Sequence, residues 1–236
     1  MGRKVKWTLF ILGAAVLFLL FQYQMIPKDT FRSWNLPLSG KIIYIDPGHG
    51  GPDGGAGDSK ALEKDIALNV SDKLRDYLQE QGALVLMTRE TDTDLANPDI
   101  RGYSRRKTDD LKTRLKMINQ SEADFFISVH LNSIPSPRWS GAQTFYAPHL
   151  VENKRAAKFI QEELIGNLGN TTREAKTIEN IYLLKHAEKP GVLVEIGFLS
   201  NPTERASLLK EDYQKQVAES VYRGLLRFFT EEKVKE

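Results

Sequence analysis

The chain has 236 residues, of which 41% are hydrophobic and 27% are charged, a composition typical of a globular protein with one good core. Its formal net charge of +2 excludes a strong positive field, so no nucleic-acid partner is expected. The sequence contains no cysteine, which excludes disulfides, thiolate zinc sites and cysteine nucleophiles.

The amino terminus carries a basic group followed by an apolar run. Arg3, Lys4 and Lys6 precede apolar residues 7–21, and the run continues less cleanly to Ile26. This pattern predicts a signal-anchor or signal peptide over residues 1–26. We favour the uncleaved anchor because the bulky residues 22–25 offer no small-residue cleavage site. The basic flank predicts an extracytoplasmic protein that is held at the membrane by this segment or secreted.

Alternating strand and helix patterns predict an α/β fold. Proline and glycine without periodicity indicate a linker over 27–40, so one domain is expected over 41–230, with a charged tail over 231–236. The predicted strands cover residues 42–45, 83–88, 125–130, 143–147, 182–184 and 192–195, and the main helices lie between them and over 213–229. This order predicts a single three-layer sandwich with a mostly parallel sheet flanked by helices.

Local signals set the expected helix boundaries. Asp58 and Ser59 offer capping groups before the first helix of the domain, and Gly82 suits its end. A polar loop is expected over 90–107, with the next helix starting near Thr108. The basic residues of this loop are interpreted either as a solvated face or as a contact with an acidic polymer or partner: Arg101, Arg105, Arg106 and Lys107.

Polar residues follow three of the predicted strands. His49 comes after the first strand and its Asp-Pro-Gly turn, while His130 and Glu195 end two later strands. Glu63 lies near the start of the intervening helix. Each residue has an ordinary explanation alone: His49 in a turn, Glu63 as a partner of the helix dipole. At one edge of a parallel sheet, however, they would converge.

Two imidazoles and two carboxylates at one sheet edge predict a hydrolytic zinc site. Two imidazoles and one carboxylate make a three-ligand catalytic zinc site with a position left for water, and the other carboxylate is then free to act as a base. The two remaining histidines, His149 and His186, follow no strong apolar strand, so they are expected to face solvent or form hydrogen bonds.

Four ordered motifs carry a resemblance to a known family. The chain is similar to the zinc-dependent N-acetylmuramoyl-L-alanine amidases of the third amidase class, and most like their germination-specific members in spore-forming bacteria. The motifs are Asp46-Pro47-Gly48-His49-Gly50-Gly51, Glu63, Ser128-Val129-His130-Leu131-Asn132-Ser133 and Val194-Glu195-Ile196-Gly197-Phe198-Leu199-Ser200-Asn201.

The resemblance implies both a site and a substrate. It implies Zn²⁺ on His49, Glu63 and His130, with Glu195 catalytic. The substrate implied is the peptidoglycan amide between the lactyl group of N-acetylmuramic acid and L-alanine, in spore cortex maturation or germination. Glu195 is assigned to proton transfer because a carboxylate in the fourth zinc position would displace the water.

Further residues and alternatives stay open. Asn132 and Arg89 are weaker candidates for orienting substrate or ligands, since the first suits a turn and the second a surface ion pair. His130 and Glu195 are only 65 positions apart, which leaves little room for a self-blocking segment and favours a regulatory protein partner or regulated expression. Competing functions are a silent wall-binding or partner-binding module and a zinc carboxypeptidase, which would need Arg89 or Arg114 to hold a terminal carboxylate.

Overall fold

The computed structural model describes residues 2–25 and 36–230, which divide into one unit up to Leu36 and a second from Pro37. The first unit contains α1 (Arg3–Met25), which exposes large apolar side chains such as Trp7 and Phe10. No helix in the described ranges is both long and apolar enough to cross a membrane. Ile26, most of the expected linker and the expected tail over 231–236 lie outside the described residues.

The second unit is a six-stranded sheet covered by helices, with strand order β4-β1-β5-β8-β6-β7. The strands β4, β1, β5 and β8 run parallel, and β6 is antiparallel to β8. The elements are β1 (Ile42–Pro47), β2 (Gly57–Asp58), β3 (Ala61–Leu62), α2 (Glu63–Glu80), β4 (Leu84–Met87), α3 (Tyr103–Gln120), β5 (Phe125–Asn132), β6 (Gln143–Tyr146), α4 (Val151–Leu168), β7 (Lys176–Thr177), α5 (Tyr182–His186), β8 (Gly191–Phe198), α6 (Pro202–Leu208) and α7 (Glu211–Phe229). The predicted mostly parallel α/β sheet is confirmed.

Helices cover both faces of the sheet, which makes the three layers. Successive strand residues point to opposite faces, so Ile43 and Ile45 join a core with α2, α4 and α7, while Tyr44 joins a second core with α3 and α5. The strands buried on both sides therefore have continuous apolar sequences. Leu38 is also buried in the first core, and its backbone N–H donates to the Gln81 carbonyl (2.9 Å), so the folded unit begins before residue 41.

The prediction that Asp58 and Ser59 cap the first helix of the domain is wrong. Asp58 and Ser59 lie in the β2–β3 hairpin, where an Asp58 carboxylate oxygen accepts the Lys60 N–H (2.9 Å) in a local turn. The helix α2 instead begins at Glu63, and no side chain caps its first residues. The Asp58 side chain therefore stabilises a local turn instead of capping the helix.

Two other local predictions are also wrong. The helix α3 begins at Tyr103, before the expected Thr108, so the basic residues from Arg105 onward lie on a helix and Arg106 forms an ion pair with Asp94 (2.6 Å). The expected strand over 182–184 is the short helix α5, which buries two leucines against the second core. A short apolar run does not distinguish a strand from a buried helical turn.

Candidate metal centre

The predicted site residues meet at the carboxyl ends of β1, β5 and β8, which are neighbours in the sheet. His49 follows β1, and Glu63 is the first residue of α2. His130 in β5 lies directly opposite Glu195 in β8. Contrary to expectation, neither His130 nor Glu195 ends its strand: β5 continues to Asn132 and β8 to Phe198. His49, His130 and Glu195 line a cavity of about 300 Å³.

Three donor atoms converge in a cluster formed by His49, Glu63 and His130, and they all lie within 4.8 Å of one another. One Glu63 carboxylate oxygen, Oε1, is 3.2 Å from Nε2 of His49 and 3.0 Å from Nδ1 of His130. Backbone N–H groups of Leu131 (2.9 Å) and Ala56 (2.8 Å) donate to the two Glu63 oxygens and fix the carboxylate. This group of donor atoms could hold a metal ion.

Two glycines make room for the cluster. A Cβ atom at Gly48 would lie 2.4 Å from Cε1 of His130, and one at Gly55 would lie 2.6 Å from Oε2 of Glu63. His49 itself has φ of 61°, the left-handed conformation that non-glycine residues rarely adopt. A backbone held in this unusual conformation next to close-packed polar side chains is typical of functional sites.

Asp53 orients His49, a contact that the sequence interpretation missed. Its carboxylate lies 2.9 Å from Nδ1 of His49, which leaves Nε2 facing the cluster. Tyr103 donates its hydroxyl to Asp53 (2.8 Å), and the ammonium of Lys107 is 3.0 Å away. A carboxylate behind a histidine ligand is a common arrangement in metal sites. The available signal was an acid four residues after His49 in the same glycine-rich loop.

The cluster and Glu195 have opposite electrostatics. Burial opposes the charged form of His49, but Asp53 and Glu63 outweigh it and raise the pKa of the imidazole to about 9. Burial is likewise outweighed at Glu63, where His130 and His49 hold the carboxyl pKa well below its usual range. Burial raises the pKa of Glu195 to about 7, and its Oε2 has no hydrogen-bond partner within the described structure. Glu195 is therefore suited to exchange a proton near neutral pH.

A buried ion pair beneath the site holds the loop that carries His49. Arg114 is almost fully buried, and its guanidinium donates to the Asp46 carboxylate (2.8 Å) and to the Asp110 carboxylate (2.8 Å). It also donates to the backbone carbonyls of Pro47 (2.8 Å) and His49 (2.6 Å). Because these contacts engage the guanidinium, Arg114 is not a free cation for substrate.

Arg89 braces the same loop from another side. It is buried, so the surface ion pair considered for it is wrong. It donates to the carbonyls of Pro47 (3.1 Å), Gly48 (2.8 Å) and Lys64 (2.7 Å). Arg89 therefore orients the loop that carries His49 through its backbone, and it does not line the cavity.

The other residues considered make contacts outside the donor cluster. Asn132 is half-buried at the end of β5, and its carbonyl accepts the Leu199 N–H (2.9 Å). His149 is 3.2 Å from the Ala187 carbonyl through Nε2, and His186 is exposed beside the ring of Tyr182. Neither histidine belongs to the three-residue donor cluster.

Comparison with known proteins identifies a family for the chain. Residues 43–227 match the family model described as N-acetylmuramoyl-L-alanine amidase. The chain belongs to this family. The amidase is 59% identical to the germination-specific N-acetylmuramoyl-L-alanine amidase of Bacillus subtilis (strain 168), over 98% of each chain.

Solved structures are similar to the amidase as well. The CwlD amidase from Clostridioides difficile, solved in complex with the GerS lipoprotein, has a TM-score of 0.78 and 39% identity, covering 80% of this chain and 98% of that one. An N-acetylmuramoyl-L-alanine amidase from Clostridium difficile 630 has a TM-score of 0.72 and 29% identity, covering 82% and 98%. The predicted family, fold and amidase activity on peptidoglycan are confirmed.

Replacing Arg114 with methionine tests whether the buried ion pair supports the site. Arg114→Met leaves the Asp46 charge buried without its guanidinium, so we expect a loss of about 3–5 kcal/mol in the free energy of unfolding. Chemical denaturation measures this loss. The matched control is Arg223→Met, which removes an exposed pair with Glu219 (2.6 Å) and should cost less than about 1 kcal/mol. Equal losses in the two variants would contradict this account of Arg114.

Proposed function

We propose that the amidase hydrolyses the bond between N-acetylmuramic acid and L-alanine with one zinc ion held by His49, Glu63 and His130. The observation that carries this proposal is the convergence of their three donor atoms within 4.8 Å. Two imidazole nitrogens and one carboxylate oxygen are a common ligand set for catalytic zinc. Bound zinc would supply a Lewis acid for the lactyl carbonyl and a water whose pKa is lowered to about 7.

Asp53 supports the metal site from behind. A histidine ligand must be neutral to bind a metal, so His49 must lose the proton that its carboxylate neighbours stabilise. The Asp53 carboxylate lies 2.9 Å from Nδ1 and places a negative charge on the side of the ring away from the cluster. We therefore infer that the proton stays on Nδ1 and that Nε2 is the ligand atom.

Glu195 is the proposed catalytic residue. Glu63 already accepts two backbone N–H groups and contacts both imidazoles, whereas Oε2 of Glu195 is buried without a hydrogen-bond partner in the part of the chain described. An unpaired carboxylate whose pKa is raised to about 7 can take a proton from the attacking water. It then returns the proton to the departing alanine amine, so the amine leaves as a neutral group.

Neither competing function has support from the site. A zinc carboxypeptidase needs a free cation for a terminal carboxylate, but Arg114 and Arg89 are committed to the His49 loop, and Lys107 is 3.0 Å from Asp53. A silent binding module would lack a ligand or the base. All four proposed residues are present: His49, Glu63 and His130 form the donor cluster, and His49, His130 and Glu195 line one cavity.

The biological setting is also proposed. The similarity to a germination-specific amidase favours a role in spore cortex maturation or germination. Peptidoglycan as the substrate favours an extracytoplasmic location. A regulatory protein partner is proposed because the relative from Clostridioides difficile was solved with the GerS lipoprotein. The short interval between His130 and Glu195 is a second reason. The described secondary structure in it consists of β6, α4, β7 and α5, which leaves little room for a self-blocking segment.

Removing one proposed ligand should remove the metal. His130→Ala takes one of three donors from an open site, so we expect a folded protein with strongly reduced zinc content and little activity. The control is His186→Ala, which removes an exposed histidine outside the cluster and should keep full zinc content. Elemental analysis of both purified variants measures the difference. Full zinc occupancy in His130→Ala would reject His130 as a ligand.

Removing the proposed base should separate activity from metal binding. Glu195→Gln keeps the size of the side chain but cannot accept the proton, so we expect a rate loss on the order of a hundredfold to ten-thousandfold. Zinc content should be that of the wild type. Mass spectrometry of digested peptidoglycan gives the rate of amide cleavage. A near wild-type rate would identify another base, and a loss of zinc would make Glu195 a ligand.

The amino-terminal segment is proposed to anchor or export the amidase. Basic residues before the apolar run over 7–26 support this proposal, and the lack of a small-residue cleavage site over 22–25 favours the uncleaved anchor. Cell fractionation should find the full-length protein at the membrane, or a shorter exported form starting after residue 26. Deleting residues 3–26 should leave the protein in the cytosol. A cytosolic full-length protein would contradict the proposal.

A further inference from the structure

An exposed tryptophan lies on the loop between β5 and β6. Trp139 is 50% exposed, and Ile134 on the same loop is 39% exposed. The loop leaves the carboxyl end of β5, just after His130, and therefore lies at the same sheet edge as the proposed active site. A large exposed aromatic side chain beside an active site suggests a contact surface for a ligand.

Arg173 packs against the ring of Trp139. The Arg173 guanidinium lies 5.6 Å from the ring centre of Trp139 and 4.9 Å from that of Phe198, so it contacts both aromatic rings. Its Nε donates to the Ser140 carbonyl (2.8 Å). Cation–π contact and the hydrogen bond fix the ring without covering its outer surface. A ring already in place loses little conformational entropy when a ligand binds.

The backbone of the loop is anchored as well. Asn201 donates its side-chain amide to the Pro137 carbonyl (2.8 Å). The Glu204 carboxylate accepts the Gly141 N–H (2.8 Å), and the same carboxylate accepts the Phe198 N–H (2.8 Å). These bonds tie both ends of the exposed stretch to the end of β8 and to α6. Trp139 and Arg173, with the loop held by these bonds, are called the platform below.

The platform is connected to the proposed base through one side chain. Gln143 in β6 is the register partner of Glu195 in β8, so His130, Glu195 and Gln143 form a row across three neighbouring strands. Paired residues in an antiparallel ladder are close neighbours on one face. Arg173 donates to the side-chain oxygen of Gln143 (3.2 Å) while it contacts Trp139. The platform thus continues the active site along the sheet towards β6.

We propose that Trp139, supported by Arg173, binds a sugar ring of the glycan strand next to the N-acetylmuramic acid whose amide is cleaved. This inference rests on the proposed function. The electron-rich face of an indole suits the C–H face of a pyranose ring. The Arg173 guanidinium is engaged by the loop, by Gln143 and by two rings, so the platform offers an aromatic face rather than a free charge. The cavity extends towards α3 and α5, where Lys107 and Tyr182 line it, and leaves that side to the stem peptide.

Arg138 provides the discriminating alternative. It is exposed beside Trp139, and its guanidinium would recognise a carboxylate of the stem peptide. A neutral oligosaccharide separates the two ligands because it has sugar faces but no carboxylate. We choose chitohexaose, a β-1,4-linked N-acetylglucosamine oligomer with the backbone chemistry of the glycan. It contains no bond that the amidase cleaves, so its binding does not depend on catalysis.

Calorimetric titration of the full-length protein with chitohexaose tests the proposal. Trp139→Ala should weaken binding about tenfold, the scale of one well-stacked ring face. Trp139→Phe keeps an aromatic face and should restore most of the affinity. The matched control is Leu84→Ala, which removes an apolar side chain of similar exposure (55%) on the edge strand β4. It should bind as the wild type does.

Two results would overturn the proposal. One is wild-type affinity for chitohexaose in Trp139→Ala. The other is a wild-type protein that binds the free stem peptide but not chitohexaose, with Arg138→Ala abolishing peptide binding; the loop would then serve the peptide. Because the titration needs no turnover, an inactive protein with intact sugar binding would count against the proposed function and not against this subsite.

Discussion

The buried ion pair between Arg114 and Asp46 is the interaction on which the arrangement of the site depends. Asp46 sits at the end of β1 and also accepts hydrogen bonds from Thr88 (2.7 Å) and Ser128 (2.6 Å), so it ties β1 to both neighbouring strands. The guanidinium of Arg114 compensates the buried charge, holds the carboxyl pKa of Asp46 below its usual value and reaches the His49 carbonyl. Buried charges are retained only when they are paired in this way. These contacts hold the loop in one conformation, which includes the left-handed backbone at His49.

The second constraint is the difference in environment between two carboxylates, Glu63 and Glu195, that lie near the same histidines. Glu63 is held by two backbone N–H groups and by both imidazoles, which keeps it ionised, while Glu195 is buried without a hydrogen bond and is more easily protonated. When their environments shift the pKa values of two acids in opposite directions, one acid commonly serves as a ligand or charge stabiliser and the other carries the proton. The fold creates the difference because Glu63 opens a helix beside the loop, whereas Glu195 emerges from the middle of a buried strand.

The sequence was sufficient for the sheet and for bringing His49, Glu63, His130 and Glu195 to one region of it, because each of these signals is local; their roles stay predictions. An apolar run followed by a turn predicts a strand end, and parallel strands bring their carboxyl ends together. Asp53 is only four residues from His49, but it lies in an irregular glycine-rich loop where no periodic pattern marks it. Arg114 and Gln143 act through contacts between segments far apart in the chain or through strand register, which periodicity does not encode. For the same reason the short helix α5 was expected to be a strand, and Asp58 was expected to cap a helix instead of turning a hairpin. Burial also reversed the expected surface position of Arg89.

The most direct test of the account is the position of zinc in crystals of the wild-type protein, located by anomalous diffraction at the zinc edge. The account predicts one peak ligated by Nε2 of His49, Nδ1 of His130 and a Glu63 oxygen, at the distances of about 2.0–2.2 Å that zinc adopts with nitrogen and oxygen. The Glu195 carboxylate should face the open coordination position without ligating the metal. A peak ligated by Glu195, or a peak away from the three donors, would contradict the division of roles on which the proposed mechanism rests.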